Sequence, residues 1–74
     1  MAQNEKNILE YIVVCVSEFA NRYDIHMKDA YSYLRQYKGI DYLCEFYDVE
    51  HTLSFDDAID DLTIICRRNG GAIA

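Results

Sequence analysis

The stretch ILEYIVVCVSEFANRY, residues 8–23, decides between a helical and a β fold. Apolar side chains recur along it with the 3.6-residue period of a helix, at Ile8, Tyr11, Ile12, Cys15, Phe19 and Tyr23. The run from Ile12 to Val16 is also compatible with a buried strand, but no turn residues flank it within a setting of roughly 20 residues. We therefore predict a helix over residues 4–23.

This helix carries a second apolar stripe beside the first, formed by Leu9, Val13, Val16 and Ala20. Most of its circumference is therefore apolar and needs to be covered. Other helices of the same chain can cover it, or two copies of the chain can share the task. The sequence thus leaves a homodimer open beside a monomeric bundle.

Three further helices are predicted, over residues 27–37, 40–48 and 55–69. Gly39 and Gly70 stand where a left-handed glycine ends a helix, and Ser54 precedes two acids in the position of an N-cap. The predicted core faces are Met27, Ala30, Tyr31, Leu34 and Tyr37; Ile40, Leu43, Cys44 and Tyr47; and Phe55, Ala58, Ile59, Leu62, Ile65 and Cys66. We expect an all-α bundle of about four helices.

A chain of 74 residues can build one hydrophobic core, so we expect a single domain over residues 1–74, with residues 1–4 and 72–74 frayed. Its three cysteines, Cys15, Cys44 and Cys66, are odd in number and lie at apolar helical spacing, which predicts free thiols and no disulfide. No CxxC spacing suggests a metal or redox site, so we expect no metal and no cofactor. Free thiols without a membrane span or export signal favour the cytoplasm.

The net charge of −6 is concentrated in one segment. Residues 41–61 contain no Lys or Arg and eight acids, namely Asp41, Glu45, Asp48, Glu50, Asp56, Asp57, Asp60 and Asp61. Such a field repels phosphate backbones and attracts basic surfaces. We therefore expect the partner to be a basic protein, and we do not expect the chain to bind nucleic acid on its own.

The predicted partner-binding residues combine acids of this segment with side chains that fall off the core stripes. Asp60 and Asp61 repel the acids of the preceding turn, which suggests that a partner supplies positive charge there. Tyr33, Tyr42 and Ile64 are expected to be exposed, and exposed Tyr is typical of interfaces. The predicted set is Asp41, Tyr42, Glu45, Asp48, Glu50, Asp57, Asp60, Asp61, Ile64 and Tyr33.

The turn at residues 47–54 holds a His, two acids and two hydroxyls, so an active site or metal site would lie there if the chain had one. We favour a structural role: Thr52 and Ser54 suit helix capping, and His51 can bond a backbone carbonyl or the nearby acids. Cys44 could pair with His51 as a nucleophile, but its place on an apolar stripe predicts a buried, inert thiol. A small enzyme or metal-binding protein using His51 remains an alternative.

A second alternative is a nucleic-acid binder or transcriptional co-regulator of the helix-turn-helix type, with Lys38 and Gly39 joining its two helices. The recognition helix would then be residues 40–48. That helix presents Asp41, Glu45 and Asp48 and no base, the opposite of what phosphate contacts need. The charge therefore opposes this alternative unless a partner acts with the chain.

Several blocks resemble a family of short bacterial proteins catalogued only as a domain of unknown function. The blocks are residues 29–34 (DAYSYL), 37–43 (YKGIDYL), Tyr47, 51–54 (HTLS), Asp56, 60–62 (DDL) and 66–71 (CRRNGG). The resemblance extends from about residue 8 to residue 71. It implies a mostly helical cytosolic protein whose gene lies beside one for an ADP-ribosyltransferase-like protein, as in a toxin–antitoxin pair. We therefore expect a non-catalytic interaction module, such as an antitoxin or accessory subunit, with that neighbour as a candidate partner.

Overall fold

The computed structural model describes the backbone of residues 2–73 and the side chains of residues 7–73. Within these residues the fold is all-α, without strands, as predicted. The helices are α1 (Ala2–Tyr23), α2 (Met27–Gln36), α3 (Gly39–Glu45), α4 (Tyr47–Glu50) and α5 (Phe55–Arg68). Met1 and Ala74, at the ends of the predicted domain, lie outside the described residues, and fraying of the ends stays a prediction.

The predicted helix over residues 40–48 is in fact two helices. Phe46 separates α3 from α4, with φ −108° and ψ 22°, so α4 begins with a new helical phase at Tyr47. The other boundaries agree to within two residues. In the described part of the chain, no helix is long and apolar enough to cross a membrane.

The core lies where α1 packs against α2, α3 and α5. Its largest fully buried side chains are Phe19, Leu34, Leu43, Ile59, Leu62, Cys15 and Cys66. All three cysteines are free, as expected. Burial raises the pKa of the Cys15 and Cys66 thiols to about 11, so both are inert apolar packing groups.

Four residues of the predicted core faces are exposed instead. Met27 and Tyr31 flank the centre of the buried face of α2, which Ala30 and Leu34 occupy. Phe55 lies at the first residue of α5 and stacks on Tyr11, with ring centroids 5.9 Å apart. The fourth is Cys44, so the prediction of a buried thiol at that position was wrong. In each case a narrow core leaves the edge of an apolar stripe uncovered.

Gly39 does not have the left-handed role that its position predicted. The left-handed residue is Lys38, with φ 71°, and Gly39 is the buried first residue of α3. A Cβ at Gly39 would lie 2.9 Å from Leu34 Cδ2 and 3.1 Å from Cys66 Sγ. Glycine is required here because α3 approaches two fully buried side chains.

Substitutions at these two neighbours are expected to act in opposite directions. Gly39→Ala should lower the free energy of unfolding by about 1–3 kcal/mol, because the added methyl group overpacks the core. Lys38→Gly should raise it by up to about 1 kcal/mol, because glycine adopts the left-handed conformation without steric cost. Urea denaturation of both variants measures these free energies of unfolding. Destabilisation by Lys38→Gly would contradict the left-handed conformation of Lys38.

Candidate interaction surface

Three exposed carboxylates lie on α3 and α4. Asp41 and Glu45 are one turn apart on α3, and Asp48 follows in the first turn of α4. All three side chains are exposed. These members of the predicted partner-binding set are therefore accessible to another molecule.

Two exposed apolar side chains are interspersed with these acids along the chain. Phe46 is 44% exposed and Val49 is 60% exposed. The Phe46 ring contacts the Tyr42 ring, with centroids 5.0 Å apart. We define the α3–α4 surface as Asp41, Glu45, Phe46, Asp48 and Val49. Phe46 and Val49 are not among the predicted interface residues, although both fall off the Ile40–Leu43–Tyr47 stripe.

The acids at the start of α5 are partly engaged within the chain. Ser54 caps this helix as predicted, its Oγ accepting the Asp57 N–H at 3.2 Å. Arg22 of α1 pairs with the Asp60 carboxylate and donates to the Asp56 carbonyl at 3.0 Å. The positive charge expected from a partner at Asp60 is thus provided by Arg22, whereas Asp57 remains an exposed acid.

Four predicted interface residues are wholly or partly buried, which corrects their expected exposure. Glu50 is only 2% exposed, and Tyr42 is half-buried and donates to Glu50 Oε2 at 3.2 Å. Asp61 is half-buried beside Glu50. Tyr33 packs between Phe19 and Tyr37, and its hydroxyl accepts the Ile73 N–H at 3.2 Å. The two Tyr side chains therefore stabilise the fold, and Tyr33 also anchors the C-terminal segment.

Glu50 is the buried acid of the core. Desolvation and, after it, the adjacent Asp61 carboxyl together raise its pKa to about 7, although the hydrogen bond from Tyr42 acts in the opposite direction. Its second oxygen, Oε1, is buried without a hydrogen-bond partner among the described residues. A proton on Glu50 removes the buried charge and gives this carboxyl a donor, so the protonated form is the one that suits the site.

The turn after α4 has the structural contacts expected of it. His51 Nδ1 donates to the Tyr47 carbonyl at 2.6 Å, and the two rings stack with centroids 4.5 Å apart. Thr52 Oγ1 donates to the Val49 carbonyl at 2.6 Å. Both side chains thus add a second hydrogen bond to carbonyl groups of α4 that already accept a backbone N–H. Gly70, with φ 102°, follows α5 in the left-handed conformation that its position predicted.

Ile64 is exposed, as expected, and lies on α5 between the acids Asp60 and Asp61, one turn before it, and the bases that follow it. It shares a shallow groove on α5 with Arg67 and Arg68, a basic surrounding. Ile64 therefore lies where the acidic part of α5 meets its basic C-terminal end. Among residues 7–73, no three His, Cys, Asp or Glu side chains gather closely enough to hold a metal ion.

Comparison with known proteins gives a family without an assigned activity. No curated protein and no solved structure matches the chain. A family model described as "Protein of unknown function (DUF3791)" matches residues 10–69, which include α2 to α5 and most of α1. The chain therefore belongs to this family.

Proposed function

We propose that this protein is a non-catalytic interaction module that binds a basic partner protein through the α3–α4 surface. The observation that carries the proposal is the mixture of exposed Asp41, Glu45 and Asp48 with exposed Phe46 and Val49. Apolar side chains rimmed by charged ones are the composition of many protein-interaction sites.

The two kinds of side chain have different tasks in such an interface. Burial of Phe46 and Val49 provides affinity, at about 25 cal/mol per Å² of apolar surface removed from water. The carboxylates attract a basic partner, speed association and reject acidic partners. Because residues 41–61 contain no Lys or Arg, the negative field of this segment is not neutralised by its own bases.

For the partner we propose an ADP-ribosyltransferase-like protein encoded by a neighbouring bacterial gene, with the two proteins meeting in the cytoplasm. The resemblance of the sequence blocks supports this identity, and the acidic charge fits a protein that neutralises or accompanies a basic one. The module would then act as an antitoxin or accessory subunit, through binding alone.

Co-expression with the neighbouring gene product tests the proposal. The expected result is a complex that co-purifies at low salt and dissociates as salt is raised, because screening weakens the contribution of exposed charges. The His51→Ala variant is a useful control, since its side chain serves the turn, and it should still co-purify. Failure of the wild-type proteins to co-purify at low salt would contradict the proposed partnership.

A further inference from the structure

Several strongly exposed apolar side chains lie together on α1 and α2. Leu9 and Val13 on α1 are 63% and 58% exposed, and Met27 and Tyr31 on α2 are also exposed. A groove between the two helices is lined by Leu9, Ile12, Val13, Val16, Met27, Lys28 and Tyr31. These residues form the α1–α2 face, and its apolar spacing along α1 suits packing against another helix.

The apolar area continues beyond this groove on the other sides of Leu9. Val13 and Val14 line a second shallow groove with Leu9 and Glu10, and Cys44 lines a third with Leu9 and Ile12. Leu9 is common to all three grooves. The same face therefore offers both an apolar ridge on α1 and an apolar groove beside it.

We propose that a second copy of this chain covers the α1–α2 face in a twofold-symmetric dimer. A twofold contact requires a self-complementary surface, and a ridge beside a groove meets this requirement because each copy inserts its ridge into the groove of the other. The proposal uses none of the residues of the α3–α4 surface, although Cys44 of α3 borders the apolar area.

Charge also favours a second copy as the occupant. Two chains of net charge −6 repel each other unless they meet over a face of balanced charge. Among the described residues that line the three grooves, the charged ones are Glu10 and Lys28, which have opposite signs. In the dimer, Glu10 of each copy faces Lys28 of the other, so one symmetric contact forms two ion pairs.

Sedimentation velocity of the full chain over a wide concentration range tests the dimer. Wild-type protein is expected to dimerise, and Val13→Glu should weaken the dimer by about tenfold or more, because it places a carboxylate in the apolar contact. Ile64→Glu is the matched control, since Ile64 is similarly exposed on α5, and it should leave the dimer unchanged. Circular dichroism checks that both variants remain folded.

A charge exchange tests the orientation. Glu10→Lys and Lys28→Glu should each weaken the dimer, and the double variant should restore it, because each copy then again offers one charge of each sign. A wild-type chain that stays monomeric, a dimer insensitive to Val13→Glu, or a double variant as weak as the single variants would overturn the proposal. A monomeric wild-type chain would indicate that a different protein covers the α1–α2 face.

Discussion

Replacing Glu50 with Gln is expected to stabilise the protein by about 3 kcal/mol at pH 8 and to leave its stability unchanged at pH 4. Gln has the shape of a protonated Glu, can accept from Tyr42 and can donate towards Asp61, but it never carries a charge. Wild-type protein must bury a carboxylate at high pH, whereas the variant need not.

The direction of this pH dependence of stability follows from the pKa of Glu50, which rises from 4.5 to about 7 in the folded protein. The folded state therefore binds this proton more tightly than the unfolded state. The stabilisation that proton binding by Glu50 gives to the folded state is fully present below pH 4.5 and is lost as the pH rises through 7. Urea denaturation across this pH range measures the difference between wild type and variant.

Glu45→Gln is the matched control for this experiment. The same chemical change is made on α3, but the Glu45 side chain is exposed, so its removal should not alter the pH dependence. Equal stability of Glu50→Gln and wild type at both pH 4 and pH 8 would show that Glu50 is not held in a desolvated site.

Replacing Phe19 with Ala is expected to cost about 3–5 kcal/mol. The ring is fully buried on α1 and contacts the rings of Tyr23 and Tyr33, with centroids 4.8 and 5.7 Å away. A domain of 74 residues has a total stability of about 4–11 kcal/mol. We therefore expect a largely unfolded or marginally stable variant, as measured by circular dichroism and thermal melting.

Phe46→Ala makes the same change on the surface and should cost less than about 1 kcal/mol, because the ring is already 44% exposed. A Phe19 variant as stable as the Phe46 variant would contradict the position of the core. A small loss of stability in Phe46→Ala would also agree with the proposed role of Phe46 in binding.

The helical period of residues 8–23 predicted α1 and the burial of Cys15 and Phe19 correctly, because periodicity depends on neighbours three and four residues apart. The Ser54 cap and the turn contacts of His51 and Thr52 were predictable for the same reason, since each bonds to a group three or four residues away. Local spacing was sufficient for these features.

The contacts that reshape the acidic segment are not local. The pairing of Arg22 with Asp60 joins residues 38 positions apart, and no periodicity reveals it. The break at Phe46 starts a new helical phase in α4. Glu50, three residues after Tyr47, then lies on the same inward side of α4 as Tyr47. An uninterrupted helix over residues 40–48, as predicted, ends before Glu50 and leaves that residue in an exposed turn.

The interaction surface was accordingly predictable only in part. The acids Asp41, Glu45 and Asp48 are exposed as expected. Tyr33 and Tyr42, the aromatic residues expected at the interface, form hydrogen bonds within the fold instead. Phe46 and Val49 take their place as exposed apolar residues beside the acids. Exposure depends on which helix covers which face, and this is decided by tertiary packing.

The affinity of a charge-neutralised variant for the neighbouring ADP-ribosyltransferase-like protein tests the central claim most directly. The triple variant Asp41→Asn, Glu45→Gln and Asp48→Asn removes three charges from the α3–α4 surface with little change of shape. The matched control Glu18→Gln, Asp24→Asn and Asp29→Asn removes three exposed charges elsewhere. In calorimetric titrations at low salt, we expect the first variant to bind about tenfold or more weakly and the control to bind like wild type. Equal affinities of the two triple variants would contradict binding through the α3–α4 surface.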